Sequence, residues 1–327
     1  MIPFERLAFS GFEQRSFEKA HAELKEAGKE CTAACVTSLD RGYPLVQTKD
    51  REVRAELSAG IKKSEDGIVA IGDWLALWCP DGHEKAVIER VLPRRNEIAR
   101  VKRIGRERQP RRQVLAANVD QVLICQSLTG DGIDMRLLVR QMAAVAGSDA
   151  TPVFVLTKGD LVSGKAARTA LEDIRCIAPD LHALVVSSAD SKSIEKVRTL
   201  CAPKTATLLL GESGVGKSSL VNSLLGEEAL EVGDVRAADD KGRHTTVARR
   251  MVCLPGGGLI IDAPGLRTLQ ILDMRKSLKA AFPDVEQAAL GCRFRDCTHA
   301  DEPGCAVRGS VAPKRLEAFR YLAASGR

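Results

Sequence analysis

Short apolar runs separated by turn-forming residues fill the chain between residues 31 and 92. Val53, Ala55 and Leu57 alternate with polar residues, as the side chains of a half-buried strand do. This pattern predicts five strands, at residues 33–37, 43–48, 52–57, 68–78 and 85–91. Five strands in about sixty residues suit a small barrel of the oligonucleotide-binding (OB) type. A small sandwich or an SH3-like barrel with no nucleic-acid role stays open, because the number of strands does not fix the topology.

The pattern is different on both sides of this region. A helix-like stretch at residues 12–27, ending at Gly28, predicts an exposed N-terminal helix to which we assign no role. After Asn118, amphipathic helical stretches alternate with buried strands. These strands are predicted at residues 119–125, 152–156, 183–186, 206–210 and 259–261. The alternation predicts a mostly parallel sheet that binds its ligands at the carboxyl ends of the strands. Beyond Leu266 the chain turns polar and helical, and its last predicted helix spans residues 313–324.

The length and composition of the chain indicate how many domains it has and which cellular compartment it occupies. A chain of 327 residues is longer than one usual core, so two or three domains are expected. No apolar run approaches the roughly 20 residues of a membrane helix, and the N-terminus lacks the apolar core of a signal peptide. Most of the ten cysteines stand singly in apolar stretches, as buried thiols of a reducing compartment do. We therefore expect a cytoplasmic protein that has no contact with a membrane.

Positive charge is concentrated in one segment. The chain carries a net charge of +6, and residues 94–112 alone hold nine basic residues against two acidic ones. Such a run is often a solvated face or a linker, but here it follows a candidate OB barrel, so we predict contact with RNA phosphates. A membrane-surface role is disfavoured because Pro93, Gly105 and Pro110 interrupt any long amphipathic helix. The predicted RNA-contacting residues are Arg94, Arg95, Arg100, Lys102, Arg103, Arg106, Arg108, Arg111 and Arg112.

The stretch Gly211-Glu212-Ser213-Gly214-Val215-Gly216-Lys217-Ser218 fits the phosphate-loop pattern at every position. It follows an apolar run and opens a helix-like one, which is the context that the motif requires. Its glycines let backbone N–H groups approach a phosphate tail at the positive end of the helix. Lys217 is expected to reach the β and γ phosphates, as a catalytic residue, and Ser218 to bind Mg²⁺. The alternative is a glycine-rich turn between a strand and a helix.

Two further motifs follow the phosphate loop. Asp262-Ala263-Pro264-Gly265 ends a buried strand, where an Asp can hold Mg²⁺ and the Gly N–H can sense the γ-phosphate. Between the phosphate loop and Asp262, either Thr245 or Thr246 is a candidate to complete the metal shell. The predicted Mg²⁺ ligands are therefore Ser218, Thr245, Thr246 and Asp262.

Two motifs that suit a guanine base lie before the phosphate loop. Thr157-Lys158-Gly159-Asp160 closes a strand, and the Asp160 carboxylate can accept from the guanine N1–H and amino group, which adenine does not offer. Ser187-Ser188-Ala189 closes the next strand and is placed to support the base. In most GTPases these motifs follow the phosphate loop, so the order here is circularly permuted. The predicted GTP-binding residues are Thr157, Lys158, Asp160, Ser188, Ala189, Gly211, Glu212, Ser213, Gly214, Val215, Gly216, Lys217, Ser218, Ser219, Asp262 and Gly265.

Near the C-terminus, Cys292, Cys297, His299 and Cys305 supply three thiolates and one imidazole within fourteen residues. This set satisfies tetrahedral Zn²⁺, and four filled positions indicate a structural site. The segment has no apolar core of its own, so we expect metal binding to supply its folding energy. A chance cluster of free thiols is the alternative.

The permuted order, the barrel before it and the cysteines after it resemble the bacterial small-ribosomal-subunit biogenesis GTPase family RsgA. The resemblance covers nearly the whole chain beyond residue 30, including residues 116–121, 211–218, 242–246 and 262–265. It implies a GTPase that binds the 30S subunit late in maturation, is stimulated by it and leaves after hydrolysis. It also implies a zinc site formed by the three cysteines and the histidine.

Two positions depart from common GTPase patterns. The guanine motif more often begins with Asn, and Thr157 cannot make the same amide contacts, so we expect lower affinity while Asp160 still selects guanine. Leu266 stands where Ras-like enzymes carry a water-orienting Gln. A leucine cannot orient water, so His244 is the candidate catalytic group, with packing or rRNA contact as its alternative.

The predicted fold class is multidomain α/β. We expect an N-terminal helical extension (1–30), an OB-fold RNA-binding domain (31–93), a basic linker (94–117), a circularly permuted P-loop GTPase domain (118–270) and a zinc-binding helical domain (271–327). The expected cofactors are one structural Zn²⁺ and Mg²⁺ with GTP. The expected partners are GTP or GDP, the 30S subunit and 16S rRNA, bound by a monomer. The rival functions are an RNA-binding assembly scaffold with a weakly hydrolytic nucleotide site, and a P-loop ATPase or small-molecule kinase.

Overall fold

The structure is a computed structural model that describes residues 1–40, 43–62, 69–80, 85–104, 109–129, 132–226, 249–262 and 269–325. Its strands are β1 (Cys31–Asp40), β2 (Tyr43–Gln47), β3 (Glu52–Leu57), β4 (Trp74–Trp78), β5 (Ala86–Val91), β6 (Glu97–Ile104), β7 (Gln109–Ala117), β8 (Gln121–Ser127), β9 (Thr151–Thr157), β10 (His182–Val185), β11 (Ala206–Leu210), β12 (Arg249–Cys253) and β13 (Leu259–Asp262). Its α-helices are α1 (Gly11–Glu26), α2 (Ala59–Lys62), α3 (Met135–Ala146), α4 (Gly164–Ile177), α5 (Ser191–Leu200), α6 (Lys217–Leu225), α7 (Met274–Ala281), α8 (Pro283–Ala289), α9 (Val307–Ser310) and α10 (Pro313–Ala324). Short 3₁₀ turns span Phe4–Arg6 and Gly159–Leu161.

The chain divides into two compact units. Unit 1 comprises Met1–Gln121, Glu195–Leu209 and Ser218–Leu266, and unit 2 comprises Val122–Ile194, Leu210–Lys217 and Arg267–Arg327. The first half of the α/β region and the C-terminal helices therefore lie together in unit 2. None of the helices in the described ranges has both the length and the hydropathy needed to cross a bilayer.

A closed five-stranded barrel occupies unit 1. β1 pairs with β2, β2 with β3 and β4 with β5, all antiparallel, whereas β3 and β5 are parallel. β1 also pairs with β4, which closes the barrel around a core that includes Val36, Val46, Leu77 and Ile88. The predicted five-stranded barrel is confirmed.

The fourth barrel strand begins later than predicted. The pattern placed a strand at residues 68–78, but β4 begins at Trp74. Gly72 precedes it with a φ of +85°, and a Cβ at Gly72 would lie 2.2 Å from the carbonyl oxygen of Ala117. The backbone turns here because it passes directly against a second segment, which a hydropathy pattern does not reveal.

The basic segment that we predicted to be a linker contains an antiparallel hairpin. β6 and β7 pair from Glu97 opposite Ala117 to Ile104 opposite Gln109, with a register shift between Ile98 and Ala99. Ile98 of β6 and Leu115 of β7 are buried. In β6 only Ala99 and Val101 alternate with charged residues, and the end of β7, residues 114–117, is a continuous buried apolar run.

A junction of polar side chains follows the hairpin in unit 1. Asn118 has a left-handed φ of 55°, and its Nδ2 donates to the carbonyl of Gly72 at 2.8 Å. Asp120 then accepts the backbone N–H of Ala206 through Oδ2 at 2.7 Å, and its own N–H donates to the Ala206 carbonyl at 2.9 Å. These bonds fix the first residue of β11, the strand that leads into the phosphate loop.

The rest of the unit 1 sheet continues from β11. β13 is parallel to β11 and antiparallel to β12, and β12 is antiparallel to the end of β1. Ile261 lies opposite Leu208, so Asp262 stands at the carboxyl end of β13, beside the end of β11. This is the edge at which parallel α/β sheets bind ligands.

Unit 2 contains β8, β9 and β10, with β9 central and β10 parallel to it. Phe154, Val155 and Leu156 of β9 are fully buried. Helices α3 and α4 pack with the C-terminal helices, and Lys314 of α10 pairs with Asp173 of α4 at 2.9 Å. The predicted final helix, residues 313–324, has the same bounds as α10.

Candidate nucleotide site and metal centre

The phosphate loop runs from the buried strand β11 to the start of α6 at Lys217. Gly214 and Gly216 have φ values of 77° and 94°, which residues with a Cβ rarely adopt. A Cβ at Gly211 would lie 2.5 Å from the carbonyl oxygen of Cys125. Three glycines are therefore required here by backbone conformation or by close approach.

Lys217 lies across this loop. Its Nζ donates to the carbonyls of Gly211 at 2.7 Å and of Glu212 at 2.6 Å. The ammonium group is thus held at the loop, where an incoming phosphate can replace the carbonyl contacts with stronger charged ones. Burial raises the pKa of the neighbouring Cys125 thiol to about 12, although Lys217 partly opposes the shift. Cys125 is therefore a neutral packing group.

The loop after β9 contacts the phosphate loop within unit 2. The Thr157 hydroxyl donates to the Val215 carbonyl and lies 3.2 Å from the carbonyl oxygen of Gln126. A Cβ at Gly216 would lie 3.8 Å from the Thr157 side chain, which is van der Waals contact. Two motifs that are separated by about fifty residues in the sequence are adjacent in the structure.

Gly159 holds the same loop against the end of β10. Its N–H donates to the Val186 carbonyl at 3.1 Å, and a Cβ at this position would lie 2.5 Å from Cγ1 of Val185. Lys158 precedes it in the left-handed conformation, with a φ of 58°. The close approach presents Asp160 beside residues 187–189.

Asp160 is exposed and ionised. A hydrogen bond from the Ser187 side chain lowers the pKa of its carboxyl group. The Ser187 segment is itself fixed by Ser193, whose Oγ accepts the Ser187 N–H at 3.1 Å and donates to the Asp190 carbonyl at 2.8 Å. Ser193 was not identified from the sequence, although a serine shortly after a Ser-Ser-Ala turn is a common turn-capping signal.

The remaining predicted nucleotide residues lie at the start of α6, at the end of β13 or outside the described residues. Ser218 and Ser219 lie half-buried in the first turn of α6. Asp262 ends β13, opposite Arg250 of β12. His244, Thr245, Thr246 and Gly265 lie outside the described residues.

The predicted metal ligands converge. One ligand atom from each of Cys292, Cys297, His299 and Cys305 lies within 4.8 Å of the other three. Nδ1 of His299 is 3.7 Å from the Cys292 sulfur and 3.6 Å from the Cys305 sulfur. A tetrahedron with Zn–S of about 2.3 Å and Zn–N of about 2.0 Å has an S···N edge of about 3.5 Å. The donor set therefore fits one tetrahedral ion.

The surrounding loop depends on few other contacts. Apart from His299, no residue from Cys292 to Cys305, a stretch that the structure describes completely, is buried. The His299 ring lies 5.8 Å from that of Phe319, and Glu302 accepts the N–H groups of Thr298 and Ala300 at 2.8 and 2.9 Å. Hydrogen bonds from Thr298 lower the pKa of Glu302 to about 2.

The basic segment contains ion pairs that the sequence did not predict. Arg94 donates to Asp73, which is fully buried, at 2.7 Å, and to Glu97 at 2.6 Å. Arg95 bridges Glu13 and Asp120, at 2.9 Å to each.

Contact of Arg94 and Arg95 with RNA stays a prediction, and in the structure both side chains form ion pairs. Both guanidinium groups pair with carboxylates inside unit 1, of which those of Asp73 and Glu13 are fully buried. Arg112 pairs with Glu97 at 2.5 Å but keeps 61% of its side chain exposed. Arg106 and Arg108 lie outside the described residues, as do the side chains of Lys102, Arg103 and Arg111.

Comparison with known proteins identifies the family. The RsgA GTPase family model matches residues 91–272. The small ribosomal subunit biogenesis GTPase RsgA of Streptomyces coelicolor is 38% identical over 88% of this chain and 78% of its own. YjeQ from Thermotoga maritima has a similar fold, with a TM-score of 0.69 and 23% identity over 91% of this chain and 99% of that chain. A second solved structure, YloQ, described as a circularly permuted GTPase, has a TM-score of 0.64 and 19% identity over 90% of this chain and 94% of that chain.

The order of the loops agrees with this fold. Residues 157–160, which we call the base-side loop, begin at the end of β9, the phosphate loop follows β11 and Asp262 ends β13. The chain belongs to the RsgA GTPase family and is a circularly permuted P-loop GTP hydrolase.

Proposed function

We propose that this GTPase acts in late maturation of the small ribosomal subunit. It binds the 30S particle, its GTP hydrolysis is stimulated by that particle, and hydrolysis releases it. The support is 38% identity, over 88% of the chain, to a relative named for small-subunit biogenesis. The observation that carries the nucleotide part is the Thr157–Val215 contact, because it joins the base-side loop to the phosphate loop.

Guanine is selected by Asp160, whose carboxylate accepts from N1–H and the amino group of the base. Ser188 and Ala189 support the base from the adjacent loop. The phosphates bind to the backbone of residues 211–217 and to Lys217, and the helix dipole of α6 adds to the attraction. Ser218, Ser219, Asp262 and Gly265 complete the proposed GTP site.

Mg²⁺ would be held by Ser218, Asp262 and either Thr245 or Thr246, and bound there it neutralises charge on the phosphate oxygens. Leu266 has no polar atom with which to orient the attacking water. We assign that task to His244, whose imidazole can accept a proton near neutral pH.

The ion held by the three cysteines and His299 is proposed to be one structural Zn²⁺. Thiolate and imidazole donors in a tetrahedral set favour zinc over magnesium or calcium, which prefer oxygen ligands. Four protein donors fill the tetrahedron, so the site has no open position for substrate.

RNA contact is proposed for the barrel and the β6–β7 hairpin, with 16S rRNA as the partner. The hairpin presents Arg100 and Arg112 among the described side chains, and Lys102, Arg103, Arg106, Arg108 and Arg111 continue the same run. Phosphate contacts of this kind are screened by salt. The protein would act as a cytoplasmic monomer, with domains at residues 1–30, 31–93, 94–117, 118–270 and 271–327.

GTP turnover with and without 30S particles, at two salt concentrations, tests the proposal. We expect strong stimulation by the particles at low salt and weaker stimulation at high salt. Equal turnover under all conditions would contradict it.

A scaffold with a weakly hydrolytic site is the second candidate, favoured by Leu266. That function predicts 30S binding without stimulated turnover. Competition between GTP and ATP excludes the ATPase and kinase alternatives if ATP fails to compete.

A further inference from the structure

We infer that Thr157 positions the two halves of the nucleotide site and does not contact the base. This inference rests on the proposed guanine site and assigns a distinct task to its first residue. Thr157 is 5% exposed, so its hydroxyl lies inside unit 2.

Three segments meet at this side chain. The hydroxyl donates to the Val215 carbonyl in the phosphate loop and lies 3.2 Å from the Gln126 carbonyl in β8. The Thr157 carbonyl accepts the N–H of Leu128 at 2.8 Å, which is just beyond β8. Thr157 therefore joins the ends of β8 and β9 to the top of the phosphate loop.

The chemistry of a hydroxyl limits what Thr157 can do in addition. It carries one proton, and both of its neighbours are carbonyls, which only accept. That proton is therefore already used in a hydrogen bond within the protein. Guanine presents acceptors at N7 and O6, so a contact with either would require a second donor that threonine does not have. An asparagine at this position carries two amide protons and could serve both tasks.

The consequence is a separation of roles. Asp160 alone distinguishes the base, and Thr157 sets the position of the phosphate loop against the base-side loop. Loss of the hydroxyl should weaken the binding of every nucleotide whose phosphates occupy the phosphate loop, and by a similar factor. It should leave the preference among bases unchanged.

The test compares Thr157→Val, which keeps the shape, with Thr157→Ser, which keeps the hydroxyl. The nucleotides are GDP, GTP and 7-deaza-GTP, which lacks the N7 acceptor, and affinities are measured by titration calorimetry. For Thr157→Val we expect GDP and GTP to bind about 10-fold more weakly, because the buried Val215 carbonyl loses its partner. Thr157→Ser should stay within about 2-fold of the unaltered protein.

For the unaltered protein, 7-deaza-GTP should bind within about 2-fold of GTP, and Thr157→Val should show the same ratio. A penalty for 7-deaza-GTP that disappears in Thr157→Val would show that Thr157 reads the base and would overturn the inference. Unchanged affinity in a folded Thr157→Val protein would overturn it too. If Thr157→Val fails to fold, the 7-deaza-GTP comparison on the unaltered protein still decides. Failure of the unaltered protein to bind GTP at all would instead refute the proposed function.

Discussion

Gly159 lies against the neighbouring strand with no space for a methyl group. A Cβ there would lie 2.5 Å from Cγ1 of Val185. We predict that Gly159→Ala lowers the free energy of unfolding by about 1–3 kcal/mol and weakens GDP binding, because the loop that carries Asp160 must move. Chemical denaturation and GDP titration measure both effects.

Gly164→Ala is the matched control, since a Cβ there would meet nothing nearer than 3.7 Å, from the flexible Arg168 side chain. Adding Val185→Ala to Gly159→Ala should restore much of the loss by making room. A Gly159→Ala protein as stable and as tightly binding as the original would contradict the close packing.

Asp160 gives the second prediction at this scale. Asp160→Asn should weaken GTP binding by about 100-fold, because the amide NH2 would face the guanine 2-amino group and both groups donate. Xanthosine triphosphate, which carries a C2 carbonyl in place of that amino group, should then bind better than GTP. Competition titrations measure the change, and retained preference for GTP would remove Asp160 from base recognition.

The glycines and Asp160 differ in how far the sequence could predict them. The phosphate loop and Asp160 follow spacing rules that are visible in one chain, because phosphate and guanine chemistry require those residue types. Gly159 occupies the variable position of its motif, and its contact with Val185 depends on how closely two strands approach. From the sequence, Thr157 predicts a lower nucleotide affinity than the usual Asn. Its hydrogen bond to the Val215 carbonyl is visible only in the folded structure.

At the scale of elements, one buried arginine joins its own helix, α10, to three other helices of unit 2. Arg315 of α10 binds Asp284 of α8 through two bonds of 2.7 and 2.6 Å. It also donates to the carbonyls of Ile177, at the end of α4, at 2.6 Å and of Ala281, at the end of α7, at 3.2 Å. The Arg315 side chain is 7% exposed, whereas the Asp284 side chain is 44% exposed.

We predict that Arg315→Ala lowers the free energy of unfolding by about 2 kcal/mol or more, because buried carbonyls and a carboxylate lose their donor. Lys314→Ala is the control, since the two side chains of its pair with Asp173 are 61% and 44% exposed and the pair should contribute little to stability. Denaturant unfolding compares the two variants. Equal losses in the free energy of unfolding would contradict this role of Arg315.

The metal centre gives the second prediction for an element. Cys297→Ser should lose bound zinc after a chelator wash and unfold at a lower temperature, because the loop buries little else. Metal content by mass spectrometry and thermal unfolding report this. Cys176→Ser, at an exposed cysteine outside the cluster, should keep one zinc per chain. A metal-free original protein of unchanged stability would contradict the structural role.

Elements were predictable where their periodicity was strong and where charge did not obscure it. The barrel strands and α10 follow clear patterns. The β6–β7 hairpin lies within the predicted basic linker, because charged residues dominate its sequence and leave no sustained alternation. The ion pairs of Arg94 and Arg95 join residues up to 82 positions apart, so a local pattern does not contain them.

For the whole molecule, the account depends on a permuted chain that still builds one nucleotide site. The order of motifs along the sequence separates Asp160 from Lys217, whereas the Thr157–Val215 bond places their loops in contact. Parallel strands explain why, since their carboxyl ends share one edge however the chain connects them.

A crystal structure of the protein with GDP and Mg²⁺ tests this claim most directly. We expect the Asp160 carboxylate within hydrogen-bond distance of guanine N1 and N2, and Lys217 Nζ at the β-phosphate of the same nucleotide. A base bound away from Asp160, with the phosphates still in the loop of residues 211–218, would contradict the account.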